Sequence, residues 1–166
     1  DGPTVQQVLE QAAATLTGSE TLVQGAGRTD SGVHATGQAA HLDVPDKFDA
    51  ERVMQALNAL TGDHPVSVLS AREVPADFHA RFSATGRRYL YRILPRRQPP
   101  ALDQGRVWHH RTALDADAMQ QAANFLVGRH AFTSFRATHC QADSPPRTLG
   151  ELRIEAVGEE VHHPAA

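Results

Sequence analysis

Gly25-Ala26-Gly27-Arg28-Thr29-Asp30-Ser31-Gly32-Val33-His34-Ala35-Thr36-Gly37 is the stretch on which the reading of this chain turns. Glycines at this density let the backbone take positive φ and approach a ligand closely. A P-loop is excluded, because no Gly-Lys-Ser/Thr follows at the required spacing. The dinucleotide fingerprint fails too: Gly25-Ala26-Gly27 has no third glycine three residues on, and no helical pattern begins there. Arg28 and Asp30 stand two apart, so in an extended segment both side chains can lie on one side. A guanidinium there could hold the carboxylate ionised and aim it. An ionised, oriented carboxylate suits a nucleophile or a general base. An Asx-turn with a surface ion pair accounts for the same residues, and spacing does not separate the two readings.

Outward from the loop, the pattern alternates between helix and strand. Before it, Val5, Val8, Leu9, Ala12 and Leu16 recur at the spacing of one helical face, with Pro3 suited to a first turn and Gly18 to the stop. Thr21-Leu22-Val23 reads as a strand entering the loop and residues 38–44 as the strand returning from it. Asp49 caps a second helix with Ala50, Val53, Met54, Leu57 and Leu60 apolar. Val66, Val68 and Ser70 alternate with Ser67, Leu69 and Ala71 in a third strand. Beyond Pro75, residues 87–94 place Tyr89, Tyr91 and Ile93 on one face and Arg88, Leu90, Arg92 and Leu94 on the other. Asp115 opens a third helix with Ala118, Met119, Ala122, Phe125 and Leu126 inward, closed at Gly128. Residues 152–157 form a last strand. The expected fold class is α+β: two α/β-sandwich-like halves, residues 1–76 with the loop and 77–166, with helices packed on a mostly antiparallel mixed sheet.

Composition narrows the function. The chain has 166 residues, 40% of them hydrophobic, and a net charge of −3, which is globular rather than disordered. No apolar run approaches the ~20 residues that cross a bilayer, and no secretory leader opens the sequence, so a cytoplasmic location is expected. Cys140 is the one cysteine, which excludes an intramolecular disulfide. Ten histidines raise a metal-dependent hydrolase as an option. Yet His109-His110 and His162-His163 are adjacent pairs that point apart on a strand, and no His-x-x-x-His occurs. Between His79 and Leu102 there is no acidic residue, while Arg81, Arg87, Arg88, Arg92, Arg96 and Arg97 all fall there. Such clustering suits a nucleic-acid partner despite the acidic total. Arg96 and Arg97, between prolines, also read as a solvated turn.

The nonapeptide from Gly27 to Ala35 closely resembles the active-site signature of the A-type tRNA pseudouridine synthases. So do Phe78-His79-Ala80-Arg81-Phe82-Ser83-Ala84-Thr85, Arg87-Arg88-Tyr89-Leu90-Tyr91 and Phe132-Thr133-Ser134-Phe135-Arg136, in the family's order and at about its spacing. The resemblance runs from about Thr4 to Val157. It implies the pseudouridine synthase fold and an isomerase that needs neither metal nor organic cofactor. Family members break the N1–C1′ bond of uridine, turn the uracil and rejoin it through C5, at positions 38, 39 and 40 of the tRNA anticodon arm. By the resemblance Asp30 is the catalytic carboxylate, attacking C1′ or C6 or abstracting a ribose proton, and Arg28 is its partner. Tyr89 is the residue that stacks on the base and takes the C5 proton; its aromatic face and hydroxyl suit that task, as they would also suit a core position. Tyr91 reads as core. Arg81, Arg87 and Arg88 are the expected phosphate contacts. His34 is read as orienting the loop through a hydrogen bond, and a homodimer is implied.

The family opens with a strand and a Gly-Trp-Gln segment that this sequence does not show. It closes with a Phe-x-His-His-Met-Val-Arg-like motif of which Val161-His162-His163 before Pro164 resembles a remnant. The chain is therefore expected to be truncated at both ends. A non-catalytic RNA-binding fragment of the same fold is the competing expectation.

Overall fold

Each helix begins where its capping residue stands. In the computed structural model, which describes residues 2–135 and 146–158, helix α1 spans Val5–Thr17. Thr4 accepts from the Gln7 amide and the Gln7 side chain answers to the Thr4 amide, a capping box that satisfies two of the helix's orphan donors. Gly18 ends it at φ 79°, a left-handed cap that glycine adopts without Cβ strain. Asp49 caps α2 (Ala50–Leu60) through the Arg52 amide, and Asp115 caps α3 (Ala116–Asn124) through the Ala118 amide.

The strands are short. Strand β1 (Gln24–Gly25) pairs antiparallel with β2 (Ala40–His41). Strand β3 (Ile93–Pro95) pairs parallel with β4 (Trp108–His110), the intervening residues 96–107 providing the long connection a parallel pair needs. Strand β5 (Gly128–His130) pairs antiparallel with β6 (Arg147–Leu149), and Thr133–Phe135 forms one 3-10 turn. The described chain is thus a mixed α/β structure of three helices and small two-stranded sheets. It divides into two compact units, Asp1–Tyr91 and Arg92–Ala166.

In the first unit α1 packs on α2. Ala12, Ala13, Val53 and Leu57 are buried together, with Leu16, Leu42, Val44, Phe48 and Val68 closing around them. The two alanines let the helix backbones approach closely. Leu60, read as inward, is 42% exposed at the fraying end of α2. Segment 66–74 does not form the expected strand, because no neighbouring chain is hydrogen-bonded to it among the described residues. An amide side chain stands in at one point. Asn58 on α2 donates to the Val68 carbonyl (2.9 Å) and accepts from the Val68 amide (2.7 Å), as a ladder partner would.

The second unit repeats the device. Gln120 on α3 donates to the Leu152 carbonyl (3.1 Å) and accepts from the Ile154 amide (2.7 Å). Segment 152–157 is accordingly held on α3 rather than forming the expected strand. The same bonds turn α3: its inner face carries Met119, Gln120 and Ala123, with half-buried Leu126 just beyond its end, and Phe125, expected inside, is 82% exposed. The expected strand over 87–94 shrinks to β3. Here Arg92 forks onto Asp103 at 3.0 and 3.2 Å, so it is a paired residue of this unit rather than a free cation. Among the described residues no helix is long and apolar enough to cross a membrane.

Candidate active site

The glycine-rich loop leaves β1 and returns through β2, and a short neck closes it. The register pairs Gln24 with His41 and Gly25 with Ala40. One step further out the Ala26 amide donates to the Ala39 carbonyl at 2.8 Å. The Gln38 side chain then donates to the Gly27 carbonyl at 3.0 Å. Ala26 and Val23 are buried beneath this neck, and the Val23 amide is taken by the half-buried Glu10 carboxylate of α1 at 3.2 Å. The loop's base is therefore rooted in the first unit's packing, while residues 28–40 stand exposed.

At the loop's tip the Val33 amide donates to the Asp30 carbonyl at 3.2 Å, closing a four-residue turn with Gly32 at φ 82°. Positive φ at the third position is the requirement of a type II turn and explains the glycine. Asp30 is the first residue of that turn, with its carboxylate exposed to solvent. Arg28 is exposed too. No hydrogen bond or ion pair joins it to Asp30 among the described residues. Spacing allows the pairing, and the loop does not form it. His34 likewise makes no hydrogen bond, so the expected loop-orienting contact is absent among the described residues.

Sequence reading missed the strongest tie between the loop and the downstream arginines. Arg87 Nη2 donates to the Ala26 carbonyl at 2.7 Å, and a Cβ on Gly27 would meet Arg87 Nε at 3.4 Å. The guanidinium is thus laid against the neck, 61 positions away in sequence. Arg81 is exposed, its guanidinium 5.9 Å from the Phe82 ring centre, and Arg88 is exposed. Tyr89 is 70% exposed, and Tyr91, expected in the core, is 85% exposed, since no second layer covers this face among the described residues. Arg96 Nε turns onto the Gln98 carbonyl, as a solvated turn would have it.

The comparisons with known proteins decide the family. The family model described as tRNA pseudouridine synthase matches residues 1–83, which include the whole loop. The chain is 59% identical over 162 residues to tRNA pseudouridine synthase A of Rhodospirillum rubrum, covering 98% of this chain and 58% of that protein. It is 52% identical over 160 residues to tRNA pseudouridine synthase A of Caulobacter vibrioides, covering 96% and 65%. With the protein of the same name from Zymomonas mobilis the figures are 47% over 165 residues, 99% and 67%. The chain belongs to the tRNA pseudouridine synthase family. It spans about three fifths of the length of the first two relatives.

Among the described residues of this family member, no three His, Cys, Asp or Glu side chains converge so as to hold a metal ion. His109 Nε2 meets the Arg96 carbonyl just beyond β3, and His110 Nδ1 meets the Thr112 carbonyl in a local turn. Cys140, His162, His163 and Arg136 lie outside the described residues.

Proposed function

We propose that the full-length protein isomerises uridine to pseudouridine in the tRNA anticodon arm, at positions 38, 39 and 40, with Asp30 as the catalytic carboxylate. The observation that carries this reading is an exposed Asp30 at the tip of a turn whose neck is fixed by backbone, Gln38 and Arg87 hydrogen bonds, in a member of this family. A fixed neck and a reachable carboxylate are what a flipped nucleotide requires: the loop keeps its position while the acid meets the sugar or base.

The reaction conserves atoms. The N1–C1′ bond breaks, C5–C1′ forms, C5 loses a proton and N1 ends with one. Asp30 opens the sequence and Arg28 steadies its charge once RNA orders the tip. Tyr89 follows Arg87 by two residues, the spacing that turns both side chains to one side of an extended chain. From there it stacks on the base and accepts the C5 proton. Arg81, Arg87 and Arg88 hold phosphates; Arg87 has donors left after the bond to Ala26. The two α/β-sandwich-like halves, 1–76 and 77–166, cytoplasmic location and a homodimer belong to the same proposal. Mapping pseudouridine by carbodiimide-blocked primer extension, after incubating full-length protein with an unmodified tRNA transcript, tests it. Stops at 38, 39 and 40 are expected, and their absence would overturn the assignment.

A further inference from the structure

We propose that His41, His79 and Gln24 form a latch that holds the base of the Asp30 loop against the turn carrying Arg81, and that all three are positioning residues for the reaction. The inference rests on the catalytic reading of that loop; His79 lies in one of the resembling blocks, and Gln24 and His41 lie outside them.

Gln24 and His41 are cross-strand partners, the first register pair beneath the loop. Both reach the same downstream turn. His79 Nε2 meets Gln24 Oε1 at 3.0 Å, and His41 Nδ1 accepts from the Ala80 amide at 3.2 Å. The two imidazoles lie against each other with centroids 4.6 Å apart. His41 also meets the edge of Phe78 at 6.2 Å, and His79 covers Phe82 at 4.4 Å. Ala80, between them, is 3% exposed.

One nitrogen of each ring meets a backbone amide. A backbone amide only donates, so the nitrogen that meets it must be unprotonated. The Ala80 amide therefore leaves the His41 ring proton on Nε2. The Arg81 amide donates to His79 Nδ1 at 3.2 Å, which leaves that ring's proton on Nε2, where it donates to Gln24 Oε1. Each acceptor faces the donor it needs. The Ser83 hydroxyl accepts from the His79 amide at 3.1 Å and closes the turn behind it. The latch thus joins the loop's foot to residues 79–81, and Arg81 leaves that turn as a phosphate-binding candidate. Its function is to set the spacing between the carboxylate loop and the arginine that grips the RNA.

The test compares His41→Phe, which keeps the ring contacts and removes the Ala80 acceptor, with His41→Asn, whose carbonyl can take the place of Nδ1. Steady-state kinetics of the full-length protein on a tRNA transcript are the readout. His41→Phe is expected to lose about tenfold to a hundredfold in kcat, the scale of a small misplacement near the chemistry. KM is expected to stay within about twofold, since substrate binding is not what is removed. His41→Asn should recover most of the rate. Gln24→Leu, at an exposed strand position, should also lower kcat and keeps the test decisive should His41→Phe fail to fold. Equal losses in His41→Phe and His41→Asn, or unchanged kcat in Gln24→Leu, would overturn the latch. Failure of the catalytic reading itself is distinguishable, because wild type would then give no pseudouridine at all.

Discussion

Replacing Arg87 by Met separates two ways in which an arginine can serve this site. The bond from Arg87 Nη2 to the Ala26 carbonyl is short, at 2.7 Å, and carries a full charge on the donor. Hydrogen bonds to charged groups contribute about 1.5–3 kcal/mol, and the exposure of Arg87 puts this one at the lower end. Losing about 1.4 kcal/mol of alignment at the loop neck corresponds to about tenfold in rate. Arg87→Met is therefore expected to lower kcat about tenfold, with Arg88→Met as the comparison. Arg88 makes no hydrogen bond or ion pair to the loop among the described residues, so its loss should raise KM, leave kcat in place and reduce the slope of log affinity against log salt by about one. Steady-state kinetics on a tRNA transcript, with binding affinity measured over a salt series, give all three quantities. An unchanged kcat in Arg87→Met would refute the claim that this side chain anchors the loop, and would return Arg87 to phosphate binding alone.

Other outcomes follow from the same geometry. Gly32→Ala forces a side chain onto φ 82° and should cost about 1–2 kcal/mol of local order, read as faster amide exchange at Val33 with Tm little changed. Leu57→Ala, at 5% exposure in the α1–α2 core, should destabilise by about 2–4 kcal/mol in urea unfolding. Thr4→Ala removes the side-chain half of the capping box on α1, leaving the backbone amide still bonded to Gln7, and should cost about 1 kcal/mol by the same measurement. Asn58→Leu leaves the solvent-exposed Val68 amide and carbonyl to water, and should cost about 0.5–1.5 kcal/mol, whereas Leu57→Met should cost under about 1.5 kcal/mol.

The helices were legible in the sequence because their signals are local. Thr4, Asp49 and Asp115 each cap the helix that the apolar spacing anticipates, and Gly18 ends the first one. The inner face of α3 was misread because Gln120 holds a backbone 32 and 34 positions away, a polar anchor that apolar periodicity does not register. Strands were the poorest reading. Alternation over 66–74, 87–94 and 152–157 reports that a segment could line a sheet, but only a neighbour makes it a strand, and α2 and α3 supply single amides instead. The site divides in the same way. The glycine turn around Asp30 was visible as a contiguous motif, and its identity rested on the resemblance of four ordered blocks. Its anchors were invisible: Arg87 to Ala26 and His79 to Gln24 span 61 and 55 positions, and nothing in either residue's neighbours marks its partner. Tyr91 was placed in a core by alternation alone, and it is exposed.

Tritium release from a tRNA transcript labelled at C5 of its uridines tests the assignment of Asp30 most directly, because release requires the uracil to be rejoined through C5. The full-length protein should release label, and Asp30→Asn, which keeps the turn but not the ionised oxygen, should fall by at least about a hundredfold. Equal release from the two proteins would contradict the account, since the loop would then carry no chemistry.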